Sequence, residues 1–311
     1  MPSLLRHLSL RQLTVFLEAV RQMSFARAAE SLHLTQPAIS MQIRQLEEVV
    51  GLPLFERIGK KLALTQAGEL LRHHAACVIG ELQDAEQVLG SLKGLRGGRT
   101  TVGLVTTAKY FAPKLLAQFA QRHSQVDIHF LVGNRETLIN ALRDNEIDFA
   151  VMGRPPEMLD TQAEAIAENP HVLVAPKSHR LMGTRTIDFH DLRDEAFLMR
   201  EPGSGTRLVM EALFKQYLFT PKRMVMLGSN ETVKQAVMAG MGVSLLSLHS
   251  LELELRTREV SLLDVIGIPV LRNWHIVHMS AKKLAPAAAA FREYLLSTTQ
   301  SHLDKTFSRY R

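Results

Sequence analysis

The sequence predicts an α/β protein with an all-α/winged-helix N-terminal domain, and three observations carry that expectation. Apolar residues recur at helical spacing in short segments from Leu10 to about Gln66. One uninterrupted helical pattern then runs from Ala67 to Leu95, where Gly94, Gly97 and Gly98 break it. From Thr100 onward, short apolar strands alternate with helical segments. The 311 residues allow two or three domains, each with its own core, and 46% hydrophobic with 22% charged residues is a globular composition.

In the first region, Leu10, Leu13, Phe16, Leu17 and Val20 outline one helix. Ser24 is placed to cap a second, whose inner face is Phe25, Ala28, Ala29 and Leu32. After His33-Leu34, Thr35 can cap a third, with Pro37 in the first turn where its missing N–H is harmless. This third helix buries Ile39, Ile43, Leu46 and Val50, turns Gln36, Ser40, Met41, Arg44, Gln45 and Glu48 outward, and ends at Gly51-Leu-Pro53. A short helix pair whose second member presents Gln, Ser and Arg suits entry into a major groove, because those side chains reach base edges and phosphates. Leu54 to Thr65 reads as a two-stranded wing with Arg57, Lys60 and Lys61 near its tip, suited to the DNA backbone. A small helical bundle with a solvated polar face is the alternative.

Leu71, Ala75, Val78, Leu82, Ala85, Leu89 and Leu92 alternate spacings of four and three, a heptad seam on about 43 Å of helix. The seam suits dimerisation; packing on its own domain is the alternative. Cys77, the single cysteine, forms no internal disulfide and leaves no Cys-based metal cage, which fits a reducing compartment.

Beyond Thr100 the expected strands are Val102–Val105, Ile128–Val132, Ile147–Val151, Val172–Ala175, Phe197–Met199, Val225–Leu227, Val243–Leu246 and Ile276–Met279. The expected helices include Phe111–Arg122, Thr137–Asp144, Thr206–Tyr217 and Glu231–Ala239. This alternation implies parallel sheets covered on both faces. The segment after Leu296 carries no motif.

Net charge is +6, of which residues 1–66 contribute +3 (eight Lys/Arg against five Glu), so placement of cations is more informative than their sum. The most apolar run, Ala236 to Leu248, is too short to span a bilayer, and the charged start lacks the apolar stretch of a signal peptide. A cytoplasmic protein with no membrane partner is expected.

These residues carry a resemblance. Phe25-Ala-Arg-Ala-Ala-Glu-Ser-Leu-His-Leu-Thr-Gln-Pro-Ala-Ile-Ser40, Gln45-Leu-Glu47, Leu54-Phe55-Glu-Arg57 and Leu64-Thr65-Gln-Ala-Gly68 resemble the DNA-binding domain of LysR-type transcriptional regulators. Thr106-Thr-Ala-Lys-Tyr-Phe-Ala-Pro113, Gly133-Asn-Arg-Glu136, Met152-Gly-Arg-Pro-Pro156, Arg200-Glu-Pro-Gly-Ser-Gly-Thr-Arg207 and Gly228-Ser-Asn-Glu-Thr-Val-Lys-Gln-Ala-Val-Met-Ala-Gly240 resemble one branch, the Calvin-cycle (RuBisCO operon) regulators often called CbbR. The resemblance implies a winged helix-turn-helix over residues 1–66, a linker helix over 67–95 and a two-lobed, periplasmic-binding-protein-like effector domain. Lobe I would hold residues 99–168 and 270–300 and lobe II 169–269, with crossings near Ala165–Asn169 and Gly267–Leu271.

For DNA it implies Gln36, Pro37, Ser40, Gln42 and Arg44 at the groove, with Thr35, Arg57 and Lys61 on phosphates. Met41 stands where many relatives carry arginine; it can touch thymine methyls but cannot hydrogen-bond guanine. The implied partners are double-stranded DNA at inverted-repeat promoter sites, a small anionic metabolite, a second copy in a homodimer or homotetramer, and RNA polymerase. Activation of carbon dioxide fixation genes is the implied role; a LysR-type regulator of another metabolic operon is the alternative.

For an effector, helix N-termini with hydroxyls and arginines at strand ends are anion sites. The candidates are Thr106, Thr107, Arg135, Glu136, Arg154, Glu201, Ser204, Thr206, Arg207, Asn230 and Thr232, although capping alone would account for Thr107, Ser204 and Asn230. No cofactor is expected, the effector being a phosphorylated metabolite or NADPH. Gly203-Ser-Gly205 lacks the Lys of a phosphate loop, and Pro202 occupies the glycine position of a nucleophile elbow. His171 and His179 lack carboxylates at metal-ligand spacing and read as structural or surface residues. No metal site, catalytic residue or enzyme activity is expected. An exported solute-binding protein would need a signal and no helix-turn-helix; an α/β enzyme would need an acid/base pair.

Overall fold

The computed structural model describes residues 7–59, 61–92 and 97–310, and of Gln87, Ser91 and Leu92 the backbone only. The expectations for Lys60, for the end of the linker helix (93–95) and for the Leu92 side chain therefore lie outside the described residues. The chain divides into two compact units, one essentially residues 1–93 and the other the remainder.

The first unit opens with α1 (Leu10–Gln22), held at its start by a reciprocal Ser9–Gln12 capping box. It buries Leu13, Val15, Phe16 and Ala19, and Leu10 is exposed, so the inner face is rotated from the expected stripe. In α2 (Phe25–Ser31), Ser24 accepts the amide hydrogen bond of Arg27. The turn closes through His33 in the left-handed region and the Leu34 amide on the Ala29 carbonyl. Then follows α3 (Gln36–Val50), capped by Thr35 and ended by Gly51 at φ 77°. Ile39, Ile43 and Leu46 enter the core with Phe16, Ala28 and Leu54.

The wing is β1 (Phe55–Ile58) antiparallel to β2 (Lys61–Leu64). Its root is anchored by the Glu47 carboxylate, whose Oε1 accepts the Leu54 amide at 2.7 Å and the Phe55 amide at 3.3 Å. Thr65 then starts α4 (Gln66–Leu92): its hydroxyl donates to the Pro53 carbonyl at 2.6 Å and accepts the Gly68 amide at 3.0 Å. Gly68 is required by close approach, because a Cβ there would lie 2.1 Å from the Leu54 carbonyl oxygen. The heptad stripe of α4 divides: Ala75 is buried and Leu71 half-buried in the unit's own core, whereas Val78, Leu82 and Leu89 are 46–58% exposed.

In the second unit, one lobe is a five-stranded sheet of order β4-β3-β5-β12-β6. It is formed by β3 (Gly98–Val105), α5 (Ala112–Arg122), β4 (Val126–Gly133), α6 (Arg135–Arg143), β5 (Phe149–Met152) and β6 (Thr161–Glu168), with β12 (Asn273–Met279) added from the end of the chain. The other lobe contains β7 (His171–Pro176), β8 (Ala196–Arg200), α7 (Gly205–Gln216), β9 (Arg223–Leu227), α8 (Asn230–Met238), β10 (Ser244–Ser247), α9 (Glu252–Arg256) and β11 (Val260–Leu262). The expectation of parallel sheets holds only for β4-β3-β5 and β8-β9. β12 runs antiparallel to β5 and β6, and β7 antiparallel to β10 and β11. The returning chain crosses back into the first lobe, and that reversal makes the five-stranded sheet mixed.

The two crossings pair with each other. Asn169 and Arg272 exchange backbone hydrogen bonds at 2.6 and 3.3 Å, and His171 and Val270 do so at 2.9 Å each. β6 runs to Glu168, so Ala165 through Glu168 belong to the five-stranded sheet rather than to the crossing. The segment after Leu296 continues α10 (Pro286–Phe307), which buries Phe291, Leu295, Thr299, Leu303 and Phe307.

Candidate nucleic-acid interface and anion cleft

On α3, burial of Ile39, Ile43 and Leu46 leaves Gln36, Pro37, Met41, Arg44 and Gln45 exposed, with Ser40 and Gln42 half-buried. The Gln36 amide donates to the Ser40 hydroxyl at 2.9 Å, fixing one turn of the outward face. Arg57 and Lys61 are exposed on facing wing strands, at adjacent register positions. The residues expected at DNA thus lie in one unit, on the outward face of α3 and on the wing that follows it.

A candidate ligand cleft lies between the lobes of the second unit, with a cavity volume of about 470 Å³. Thr106 and Thr107 follow β3; Arg135 begins α6; Arg154 follows β5; Ser204 and Thr206 stand at the N-terminus of α7; all six line the cavity. Five other candidates do not. Arg207 turns back to Glu211 (2.7 Å) and the Arg200 carbonyl (3.1 Å). Glu201 holds the Arg200 guanidinium through two bonds of 2.7 Å. Asn230 is fully buried and accepts from Arg200. Thr232 closes the Ser229 cap. Glu136 is exposed beside Gly203.

Capping does not explain the hydroxyls that face the cavity. Thr107, Ser204 and Thr206 are only 4–8% exposed, and among the described residues their hydroxyls have no hydrogen-bond partner. All three residues line the cavity, where a hydroxyl can donate to or accept from a ligand's oxygens.

The sequence reading missed the cleft floor, which the crossing strands supply: Asn169, His171, Arg272, Asn273 and His275. His171 is buried here rather than on a surface. Its Nδ1 lies 3.2 Å from the Asn169 carbonyl, so the proton sits on Nδ1 and Nε2 is left as the acceptor. Burial, with Arg272 nearby, pushes His171 down to about 4, and burial lowers His275 as well, so both are neutral near pH 7.

Arg135 is held by the carbonyls of Arg154 and Pro155, and burial with Arg154 beside it depresses its pKa. Arg154 pairs with Glu157, whereas Arg272 is exposed and makes no side-chain ion pair among the described residues. Asn134, also missed, accepts the Thr137 amide at 2.9 Å and so caps α6. Behind the cleft wall, buried Arg200 reaches across the lobes to the Thr106 hydroxyl at 3.5 Å. A signal for the crossing residues existed in the expected second crossing, whose span stopped one residue short of Arg272.

Among the described residues, not one carboxylate lines the cavity, while three arginines and two histidines do. The lobes are clasped outside it: Tyr110 and Lys109 reach Glu231 (2.6 and 2.9 Å), and Lys114 reaches Glu252 (2.6 Å). Among the described residues, no cluster suits a metal ion and no helix is long and apolar enough to cross a membrane.

Residues 10–69 match the family described as bacterial regulatory helix-turn-helix protein, lysR family, and residues 93–300 match the LysR substrate binding domain. The chain belongs to the LysR family. It is accordingly a DNA-binding transcriptional regulator rather than an enzyme, as the resemblance implied. It is 56% identical to the HTH-type transcriptional regulator CfxR of Cupriavidus necator, over 99% of this chain and 97% of that one. It is 48% identical to the RuBisCO operon transcriptional regulator of Allochromatium vinosum, over 94% and 96%. Among solved structures, the CcmR regulatory domain of Synechocystis PCC6803 in complex with 2-PG matches with a TM-score of 0.63 at 38% identity, covering 65% of this chain and 97% of that one.

Proposed function

We propose that this LysR-family chain activates carbon dioxide fixation (Calvin-cycle, RuBisCO) genes in response to a small anionic metabolite. The cleft, lined by three arginines and, among the described residues, no carboxylate, carries the ligand class. The RuBisCO operon regulator among its relatives and the 2-PG bound to the Synechocystis domain support the target and the ligand. The ligand acts as an effector rather than a cofactor, and is a phosphorylated metabolite or NADPH. The exposed half of the α4 stripe pairs two copies, and dimers assemble to tetramers in the cytoplasm. Two recognition helices then meet an inverted repeat at a promoter, where contact with RNA polymerase follows. Effector binding favours one lobe arrangement over another and so changes the DNA contact.

A thermal-shift panel of 2-phosphoglycolate, phosphoenolpyruvate, NADPH and inorganic phosphate tests the ligand class. Stabilisation by a phosphorylated compound is expected. Stabilisation only by uncharged or cationic metabolites would assign the chain to a different metabolic operon.

A further inference from the structure

Met41 is 53% exposed at the centre of the outward face of α3. Around it the face is polar: Gln36 and Ser40 are bonded to each other, and Arg44 and Gln45 are exposed. An apolar side chain there is not packed into its own core among the described residues, which Ile39, Ile43 and Leu46 fill from the opposite face. In the major groove the apolar feature available to such a side chain is the C5-methyl of thymine; guanine and cytosine edges offer only hydrogen-bonding groups. A thioether side chain is unbranched and adaptable, so it can cover a methyl group without one fixed rotamer.

We propose that Met41 is a specificity-determining residue that reads a thymine methyl in each half-site, in place of a hydrogen-bonded base contact. This rests on the reading of α3 as the DNA-contacting helix. Burying one methyl is comparable to burying a methylene group, which corresponds to about fourfold in affinity per half-site and about 15-fold for a dimer on two.

The test uses the full-length chain and the DNA immediately upstream of its gene, prepared once with thymine and once with deoxyuridine, which lacks only the methyl. Fluorescence anisotropy should show the wild type losing about 4- to 15-fold on uracil DNA. Met41→Ala should bind both DNAs alike, and Met41→Leu should retain the discrimination. Thermal melting should show that both variants fold, since the residue is exposed. Equal binding of both DNAs by the wild type overturns the proposal, as does an unchanged thymine/uracil ratio in Met41→Ala. Failure of the wild type to bind thymine DNA at all, at low or high salt, overturns instead the DNA-contact reading beneath it.

Discussion

Arg272→Gln separates ligand recognition from folding. Arg272 stands on the crossing strand of the cleft floor, exposed, with no side-chain ion pair among the described residues. Its removal therefore breaks no side-chain ion pair among the described residues, and the melting temperature should stay near wild type, as for surface changes within about 0.5 kcal/mol. A bound phosphate or carboxylate would lose a charge-assisted partner worth about 1.5–3 kcal/mol, so affinity should fall about 10- to 150-fold. Arg135→Ala is the contrasting case. Its guanidinium donates to the carbonyls of Arg154 and Pro155, so it should lose affinity and also about 1–3 kcal/mol of stability. Calorimetric titration with 2-phosphoglycolate, beside thermal melting, reads both quantities. Wild-type affinity in Arg272→Gln would refute the assignment of the cleft floor. A drop of many degrees in its melting temperature would refute the claim that this arginine is held for a ligand.

Other consequences follow from the same geometry. Because His171 is depressed from 6.5 to about 4, the unfolded chain takes up its proton first, so stability is full above pH 6.5 and is lost as pH falls toward 4. That loss is on the order of 3 kcal/mol, and His171→Gln should flatten this limb of a melting-temperature profile; an unchanged limb would remove His171 as its source. Glu47→Ala strips the acceptor from the Leu54 and Phe55 amides and should cost about 1–3 kcal/mol, seen as faster hydrogen exchange at the wing root. Gly68→Ala forces a Cβ onto the Leu54 carbonyl and should destabilise by about 1–3 kcal/mol in denaturant titrations. Leu82→Glu places a charge on the exposed half of the α4 stripe and should shift sedimentation equilibrium toward monomer; an unaltered assembly would place the seam elsewhere.

The winged helix-turn-helix was legible because its signals are local. Ser24 and Thr35 cap the helices they precede, and Gly51 ends α3 in the left-handed conformation. The long helix was legible as well, but its periodicity could not distinguish Leu71 and Ala75, packed in their own domain, from Val78, Leu82 and Leu89, which are exposed. β6 was missed because its pattern, Thr161-Gln-Ala-Glu-Ala-Ile-Ala-Glu168, is half polar along a partly exposed strand. In α10, Leu295, Thr299, Leu303 and Phe307 recur every four residues, yet hydroxyls and charges between them obscure the stripe.

The cleft was half legible. Strand ends and helix starts pointed to Thr106, Thr107, Arg135, Arg154, Ser204 and Thr206, all of which line it. Arg207, at the same helix start, failed because a long side chain one position beyond Thr206 finds Glu211 on its own helix. Arg272, His171 and His275 come together only through pairing of two crossings separated by about a hundred residues, and no local pattern announces that.

The central claim is that an anion held in this cleft alters how the chain grips DNA. Its most direct test is anisotropy on the upstream DNA at two salt concentrations, with and without 2-phosphoglycolate, for wild type and Arg272→Gln. Binding by both proteins should depend on salt, because the helix face and wing meet phosphates. The wild-type midpoint should shift with ligand within the usual 5- to 150-fold range of allosteric coupling, a shift largely absent in Arg272→Gln. A ligand that binds the wild type by calorimetry yet leaves its DNA affinity and DNA bend unchanged would contradict that claim.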